Sequence, residues 1–390
     1  MSLDFAVDTL LQRPYEPIAL PEPLSLEDLP TPALILNLPR FEGNLGKMAE
    51  HMSGHGKGFR PHAKTHKCAT IAHRQIEAGA VGICVAKVSE GLAMAQAGID
   101  KILVTSPVTT TAKARLVGLL ATKASQLQIV VDSEVGLRAL LRALPDSLQQ
   151  PVGVLIDIDI EMGRTGNRSL EDIVRLIEII QQDHRVQYAG IQHYAGHLMH
   201  LSDFEERKTR SLNLWSQVEE MAQELIQMGF GCQVMTGGGT GTFDIDVHVA
   251  GLTDMQVGSY IFMDEEYRLI QGNGADRFDY FDASLTVACS TISAPTERTI
   301  TVDGGYKAFA SDSVEPVCDE LPDTRFKFAG DEHGVLIKPR QDQYLKLGQV
   351  LQFVVPHCDP TVNLHEFYWV QNEDGLIREV WPINARGCSW

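Results

Sequence analysis

Lys64 stands in the run Phe59-Arg60-Pro61-His62-Ala63-Lys64-Thr65-His66-Lys67-Cys68, after a turn rich in glycine (Gly54, Gly56, Gly58). Its sequence neighbours are histidines and a proline, not the acidic residues that usually accompany a surface lysine. An amine in such a setting can have a lowered pKa and form a Schiff base with a carbonyl cofactor. The plain alternative is a solvated lysine at a strand end, since perturbed pKa values are the exception. His62, two residues earlier, shares the face of Lys64 if the run is a strand, and suits packing as well as contact with a ligand.

Four further groupings could do chemistry. Asp157 and Asp159 end an apolar run and lead through a glycine turn to Arg164; charges placed so suggest a site loop, against the alternative of a surface salt bridge for Arg164. His193, Tyr194, His197 and His200 crowd another run's end, and a histidine there can exchange protons near neutral pH. Thr236-Gly237-Gly238-Gly239-Thr240-Gly241-Thr242, with Gly258-Ser259-Tyr260 as a second contribution, offers backbone N–H groups and hydroxyls to an anion. His357 and Asp359, at i and i+2, point to one side of an extended segment and can chelate one cation. Imidazole plus carboxylate without thiolate suits Mn²⁺ or Mg²⁺ better than structural zinc; a turn-capping aspartate before Pro360 is the alternative.

R-P-H-A-K-T-H-K resembles the pyridoxal-phosphate lysine segment of the D-threonine aldolase and D-serine dehydratase family, whose barrel is shared with alanine racemase. The resemblance covers nearly the whole chain. It implies that Lys64 carries pyridoxal 5'-phosphate. Asp157 to Gly166 is similar to the D-x-D-x-x-x-x-R-x-G pattern of alanine racemase relatives, which implies that Arg164 contacts the cofactor's phenolic oxygen. Tyr194 to His200 resembles Y-x-G-H-x-x-H, which makes His200 the candidate base, sets Tyr194 beside the cofactor, and leaves His193 and His197 structural. The phosphate cradle is then Thr236, Gly238, Gly239 and Thr240 with Gly258, Ser259 and Tyr260. At the place of His357-Cys358-Asp359 the family's dehydratases carry H-x-C, with zinc, and its aldolases H-x-D. Gly330-Asp331-Glu332-His333-Gly334 resembles an acidic E-H-G turn, whose Asp331 would line the site from the second domain or from the partner in a homodimer.

To position these groups the chain alternates strand-like apolar runs with amphipathic stretches. The runs are Ala33–Leu38, Gly58–Lys64, Val81–Val88, Lys101–Ser106, Gln128–Asp132, Val152–Asp159, Tyr188–Tyr194, Cys232–Thr236 and Met255–Ile261. Helical patterns between them include Ser89–Ala97, Glu134–Ala143, Leu170–Gln181 and Asp203–Met228. Apolar strands separated by helices imply parallel strands covered on the outside, the α/β class with a TIM-type (β/α)8 barrel. Nine candidates exceed eight by one, and Ala33–Leu38 either opens the barrel or joins the second domain. From about residue 275 β-rich runs take over (Ala283–Ile292, Thr299–Val302, Gly334–Lys338, Gln349–Val355, Glu366–Val370), reading as an antiparallel β domain. The expected division is 28–272 for the barrel and 273–390 for the β domain, with the irregular, Pro-rich residues 1–27 packing on the latter.

Composition narrows the function. A chain of 390 residues suggests two domains. A formal net charge of −18 argues against nucleic acid and anionic membranes. No apolar run is long enough to span a bilayer, and the start has no basic region of a secretory signal. Seven scattered cysteines without a CxxC pair disfavour disulfides and structural zinc and fit a reducing cytoplasm. The resemblance therefore implies a lyase that cleaves a D-β-hydroxy amino acid, such as D-threonine, to glycine and an aldehyde. The rival is a D-serine or 3-hydroxyaspartate dehydratase; a non-catalytic pyridoxal-phosphate carrier is disfavoured by about 115 residues of β-rich chain.

Overall fold

Eight short strands pair in parallel throughout: Gly58–Phe59, Ile83–Val85, Lys101–Val104, Gln126–Val131, Val152–Ile158, Val186–His193, Val234–Gly237 and Asp254–Met255. The first and last members of the sheet meet through a parallel bridge between His62 and Cys84, which closes the barrel. These observations come from a computed structural model, which describes residues 3–338 and 345–390. Cys84, Leu103, Val130, Leu155 and Ala189 project inward as one apolar layer. Helices cover the outside. Five long ones begin where a polar side chain accepts a first-turn amide: Asn37 before Leu38–Gly54, Thr110 before Thr111–Ala121, Ser133 before Glu134–Ala143, Ser169 before Leu170–Ile180, and Asp203 before Phe204–Gln227.

The ninth candidate strand settles in a second sheet. Ala33–Asn37 lies between Phe367–Gln371 and Leu285–Thr296. Beyond these lie Ile377–Pro382 and Ile18–Leu24 on one side, and Thr299–Val302, Gly334–Ile337 and Arg325–Phe328 on the other, with Val350–Val354 also on Leu285–Thr296. All pairs are antiparallel except Ala33–Asn37 with Phe367–Gln371, so the expectation of a purely antiparallel sheet is corrected at that pair. Residues 1–27 are not irregular either: they hold a helix, Leu3–Leu11, and the strand Ile18–Leu24. Pro14 and Pro17 fall between the two, and Pro21 and Pro23 are tolerated because that strand is the sheet's edge, where a missing N–H breaks no ladder.

The expected strand Gly58–Lys64 is also shorter. Regular pairing ends at Phe59, Pro61 has no N–H, and Lys64 lies on a turn rather than in a strand. Three features hold that turn. Lys67 adopts φ +50°, the left-handed region that a side chain disfavours. Its buried ammonium donates to Glu90, whose other oxygen accepts the amides of Ala86 and Lys87. The second sheet's segment adds Tyr368, whose hydroxyl donates to the His66 carbonyl at 2.6 Å, and Ala385, whose N–H donates to the Lys67 carbonyl at 3.0 Å.

A buried ammonium that loses its paired carboxylate is costly. Glu90→Ala should lower unfolding free energy in urea by about 3–5 kcal/mol, whereas a loss below about 1 kcal/mol would mean that Lys67 is satisfied without Glu90.

Candidate active site

Lys64 does have an acidic partner, 295 residues away: its Nζ donates to Asp359 Oδ2 at 2.6 Å. The expected lowering of the Lys64 pKa is therefore corrected. The Asp359 charge, outweighing desolvation, raises it, so the amine is held protonated in this arrangement. Burial alone would push the Asp359 carboxyl up, but Lys64 and His357 hold it below the usual carboxylate range. The lysine side chain is 42% exposed, and that exposure faces a cavity of about 610 Å³ at the C-terminal ends of the barrel strands. His62 shares this wall, its Nδ1 accepting the Lys64 N–H at 3.4 Å and its Nε2 lying 3.1 Å from Thr105 Oγ1.

His357 and Asp359 are not on an extended segment. His357 caps a short helix, Cys358–Val362, and Asp359 is in its first turn. The amide of Cys358 donates to Asp264, which also caps Glu265–Arg268, so one buried carboxylate joins a barrel element to the second sheet's segment. His357 Nδ1 lies 2.8 Å from Asp312 Oδ2 and 3.8 Å from Glu266 Oε2. Desolvation lowers the His357 pKa, but Asp359, Asp264 and Asp312 outweigh it and raise it. Sequence reading missed Asp264, Glu266 and Asp312. The acidic triplet Asp264-Glu265-Glu266 just past the last barrel strand was the available signal.

His200 stands on the same side, its Nδ1 3.8 Å from Glu266 Oε1 and its ring 4.3 Å from that of Tyr267. Nδ1 is buried without a hydrogen-bond partner among the described residues. Burial, then the charges of His357 and Lys64, push the imidazole down to about 4, so it is neutral with a lone pair at ordinary pH. His193, by contrast, is buried with Nδ1 3.0 Å from the Ile158 carbonyl, and His197 faces Glu161.

Arg164 lies over the Tyr194 ring at 5.0 Å, and both line the cavity with Lys64. No carboxylate pairs with Arg164 among the described residues; Asp159 takes Arg168 and the Gly163 amide instead. Asp157 points into the barrel, accepting Gln192 Nε2 and Thr165 Oγ1 at 2.8 Å each.

The glycine loop divides in two. Gly239, Thr240, Gly258 and Ser259 line the cavity. Thr236 does not: its hydroxyl donates to Asp254 at 2.8 Å in the barrel interior. Gly238 turns the chain at φ +65°, where a Cβ would fall 2.8 Å from Asp246 Oδ2. The Tyr260 ring is buried away, with only its amide reaching the loop by donating to Thr240 Oγ1 at 3.0 Å. Asp331 is exposed and is not among this chain's own cavity residues.

The cavity's donors fit a phosphorylated ring: Gly239, Thr240, Gly258 and Ser259 line it together with Arg164, which no carboxylate pairs with among the described residues. A Cβ at Gly239 would fall 2.6 Å from Met199 Sδ and one at Gly258 2.6 Å from Thr65 Oγ1, so close packing keeps both cavity-lining positions free of side chains. For a cation the fit is looser: among the described residues no three His, Cys, Asp or Glu side chains converge. His357 and Asp359 would thus supply two ligands and leave the rest to water and substrate.

A family described as alanine racemase, N-terminal domain, matches residues 36–266, and one described as a putative serine dehydratase domain matches residues 284–371. The D-threonine aldolase of Arthrobacter sp is 35% identical over 379 residues, 95% of this chain and 98% of that protein. The 3-hydroxy-D-aspartate aldolase of Paracoccus denitrificans (strain Pd 1222) is 33% identical over 96% of this chain and 97% of that protein. The crystal structure of D-threonine aldolase from Filomicrobium marinum superimposes with a TM-score of 0.90 at 34% identity, covering 96% of this chain and all of that one.

Burial pushes the Asp157 carboxyl up to about 6 from 3.8, against the pull of Gln192 and Thr165. A carboxyl with a raised folded pKa contributes stability below 3.8 that is lost as pH rises through about 6. Asp157→Asn, which keeps the shape, should therefore match the parent in stability at pH 3.5 and exceed it by roughly 1–3 kcal/mol at pH 7. Parallel pH–stability curves for the two proteins would refute this.

Proposed function

The chain belongs to the family of D-threonine aldolases and their hydroxyaspartate and serine dehydratase relatives on the alanine racemase fold, and from that premise we propose that it cleaves D-threonine and related D-β-hydroxy amino acids to glycine and an aldehyde. The observation that carries this choice is the meeting of Lys64 with Asp359 beside His357. A carboxylate stands where the resembled dehydratases place a cysteine, and Cys358 is buried with its thiol pushed up by burial.

Pyridoxal phosphate, when bound, supplies an electron-accepting ring joined to the substrate nitrogen, and a divalent cation on His357 and Asp359, Mn²⁺ or Mg²⁺ by donor type, would supply positive charge near the β-hydroxyl. Gly239, Thr240, Gly258 and Ser259 hold the phosphate with amides and hydroxyls. Arg164, braced on Tyr194, would donate to the ring oxygen and keep it ionised. Lys64 would hold the cofactor through its nitrogen, which requires it to give up its proton and its pairing with Asp359. His200, held neutral by burial, would accept the β-hydroxyl proton through a water. The Cα–Cβ bond would then break as the hydroxyl oxygen's electron pair forms the aldehyde carbonyl, and one proton from solvent would convert the Cα side to glycine while His200 releases the proton it took. In a homodimer, Asp331 of one protomer would reach its partner's cavity.

The dehydratase reading, favoured by the match of residues 284–371, has Lys64 take the α-proton and the β-hydroxyl depart as water. D-threonine distinguishes the two. Glycine and acetaldehyde are expected, and 2-oxobutanoate with ammonia would replace the aldolase reading with the dehydratase one. Chelator treatment should lower cleavage about 100-fold without unfolding the protein, with return on adding Mn²⁺. Asp359→Ala should lose that metal-dependent cleavage while retaining the absorbance of bound cofactor; full-rate cleavage by chelator-treated enzyme removes metal from the proposal. Light scattering should give a dimer, and a fully active monomer would exclude the role of Asp331 across an interface.

A further inference from the structure

A cation on His357 would meet one of two ring nitrogens, and the surrounding loop decides which. His357 Nδ1 lies 2.8 Å from Asp312 Oδ2. A carboxylate accepts hydrogen bonds and donates none, so the hydrogen sits on Nδ1 and the lone pair is left on Nε2. Glu266 Oε2 stands 3.8 Å from the same Nδ1, too far to compete for that hydrogen, and its Oε1 stands 3.8 Å from His200 Nδ1.

The loop that carries Asp312 is fastened at both ends to the segment that carries His357. On one side the Ala310 N–H donates to Thr361 Oγ1 at 3.0 Å, and that hydroxyl donates in turn to the His357 carbonyl at 2.8 Å. On the other side Val317 and Val354 exchange both backbone hydrogen bonds, three residues before His357. The two side chains are therefore held in register through backbone contacts that do not depend on either of them. No lysine or arginine pairs with Asp312 among the described residues; its carboxylate meets His357.

We propose that Asp312 is a positioning residue for the metal: its bond to Nδ1 fixes the tautomer and the ring plane of His357, so that Nε2 is the nitrogen offered to a divalent cation held with Asp359. This inference rests on the metal-dependent reading given above. A carboxylate behind a ligating imidazole orients the ring and raises the basicity of the nitrogen that binds, and loss of such a partner weakens metal binding about 10–100-fold. Asp312 itself is half exposed, so its removal takes little from the stability of the fold.

The test is Mn²⁺ binding, read by titration calorimetry on holoenzyme stripped with a chelator and freed of it, with no substrate present. Asp312→Ala should bind Mn²⁺ about 10–100-fold more weakly than the parent. Asp312→Asn, whose amide oxygen still accepts from the Nδ1 hydrogen, should recover part of that loss. Both variants should keep the parent's melting temperature and cofactor absorbance, and saturating Mn²⁺ should return most of the turnover to Asp312→Ala, as expected of a group that acts through a ligand. Equal Mn²⁺ affinity in the parent and Asp312→Ala would overturn the role of Asp312 while the metal reading stands. A loss in Asp312→Ala that Asp312→Asn does not relieve would make Asp312 a ligand in its own right and overturn the proposal as well. Absence of Mn²⁺ binding by the parent would remove the metal reading and this inference with it.

Discussion

One ion pair sets the terms for the rest of the site: Lys64 on the barrel and Asp359 on the segment that follows the second sheet's strands. Asp359 is largely buried, and it stays ionised there because Lys64 and His357 outweigh the cost of desolvation. A buried carboxylate deprived of its cation needs a proton or another positive charge. Once the lysine nitrogen is engaged elsewhere, the His357 imidazole is left beside Asp359, and that imidazole already lies against Asp312 and Glu266. The proposed cation on His357 and Asp359 would take over the charge that Lys64 supplies in this arrangement. The same pair joins the two sheets, the barrel supplying Lys64 and the segment of the second sheet supplying Asp359.

Much of the surrounding structure serves to keep that pair in register. Asp264 caps two short helices, one after the last barrel strand and one bearing Asp359. The turn that carries Lys64 is pinned by Lys67 to Glu90 and by Tyr368 and Ala385 to backbone carbonyls. Lys67 holds a left-handed conformation, a local strain that persists where surrounding contacts over-determine the backbone. The layer of Cys84, Leu103, Val130, Leu155 and Ala189 seals the barrel beneath the cavity except along the Arg60–Asp254–Thr236–Gln256 side, where polar groups run through.

Where the sequence was legible, the signal was local. The period of the apolar residues located Glu134–Ala143 to the residue and Phe204–Gln227 within one at each end. The Gly-rich loop and the strand-end clusters marked the mouth of the barrel, and Lys64, Arg164, Tyr194, Gly239 and Thr240 do meet there. What was not legible was long-range or irregular. Nothing near Lys64 in sequence announces Asp359, so a lowered amine pKa was expected where the structure raises it. Ala33–Asn37 reads equally well as a barrel strand or as a strand of the second sheet, because both bury it on two faces. Thr236 looks like a phosphate ligand by spacing, yet period-two alternation turns its hydroxyl onto Asp254 in the interior. The i, i+2 argument for His357 and Asp359 failed because a helix starts between them.

The most direct test of the whole arrangement is where the cofactor attaches. Holoenzyme reduced with borohydride, digested and examined by mass spectrometry should carry the pyridoxyl group on the peptide containing Lys64, with Lys67 and Lys87 unmodified. A pyridoxyl group on any other lysine, with Lys64 free, would contradict the assignment of this cavity as the catalytic centre.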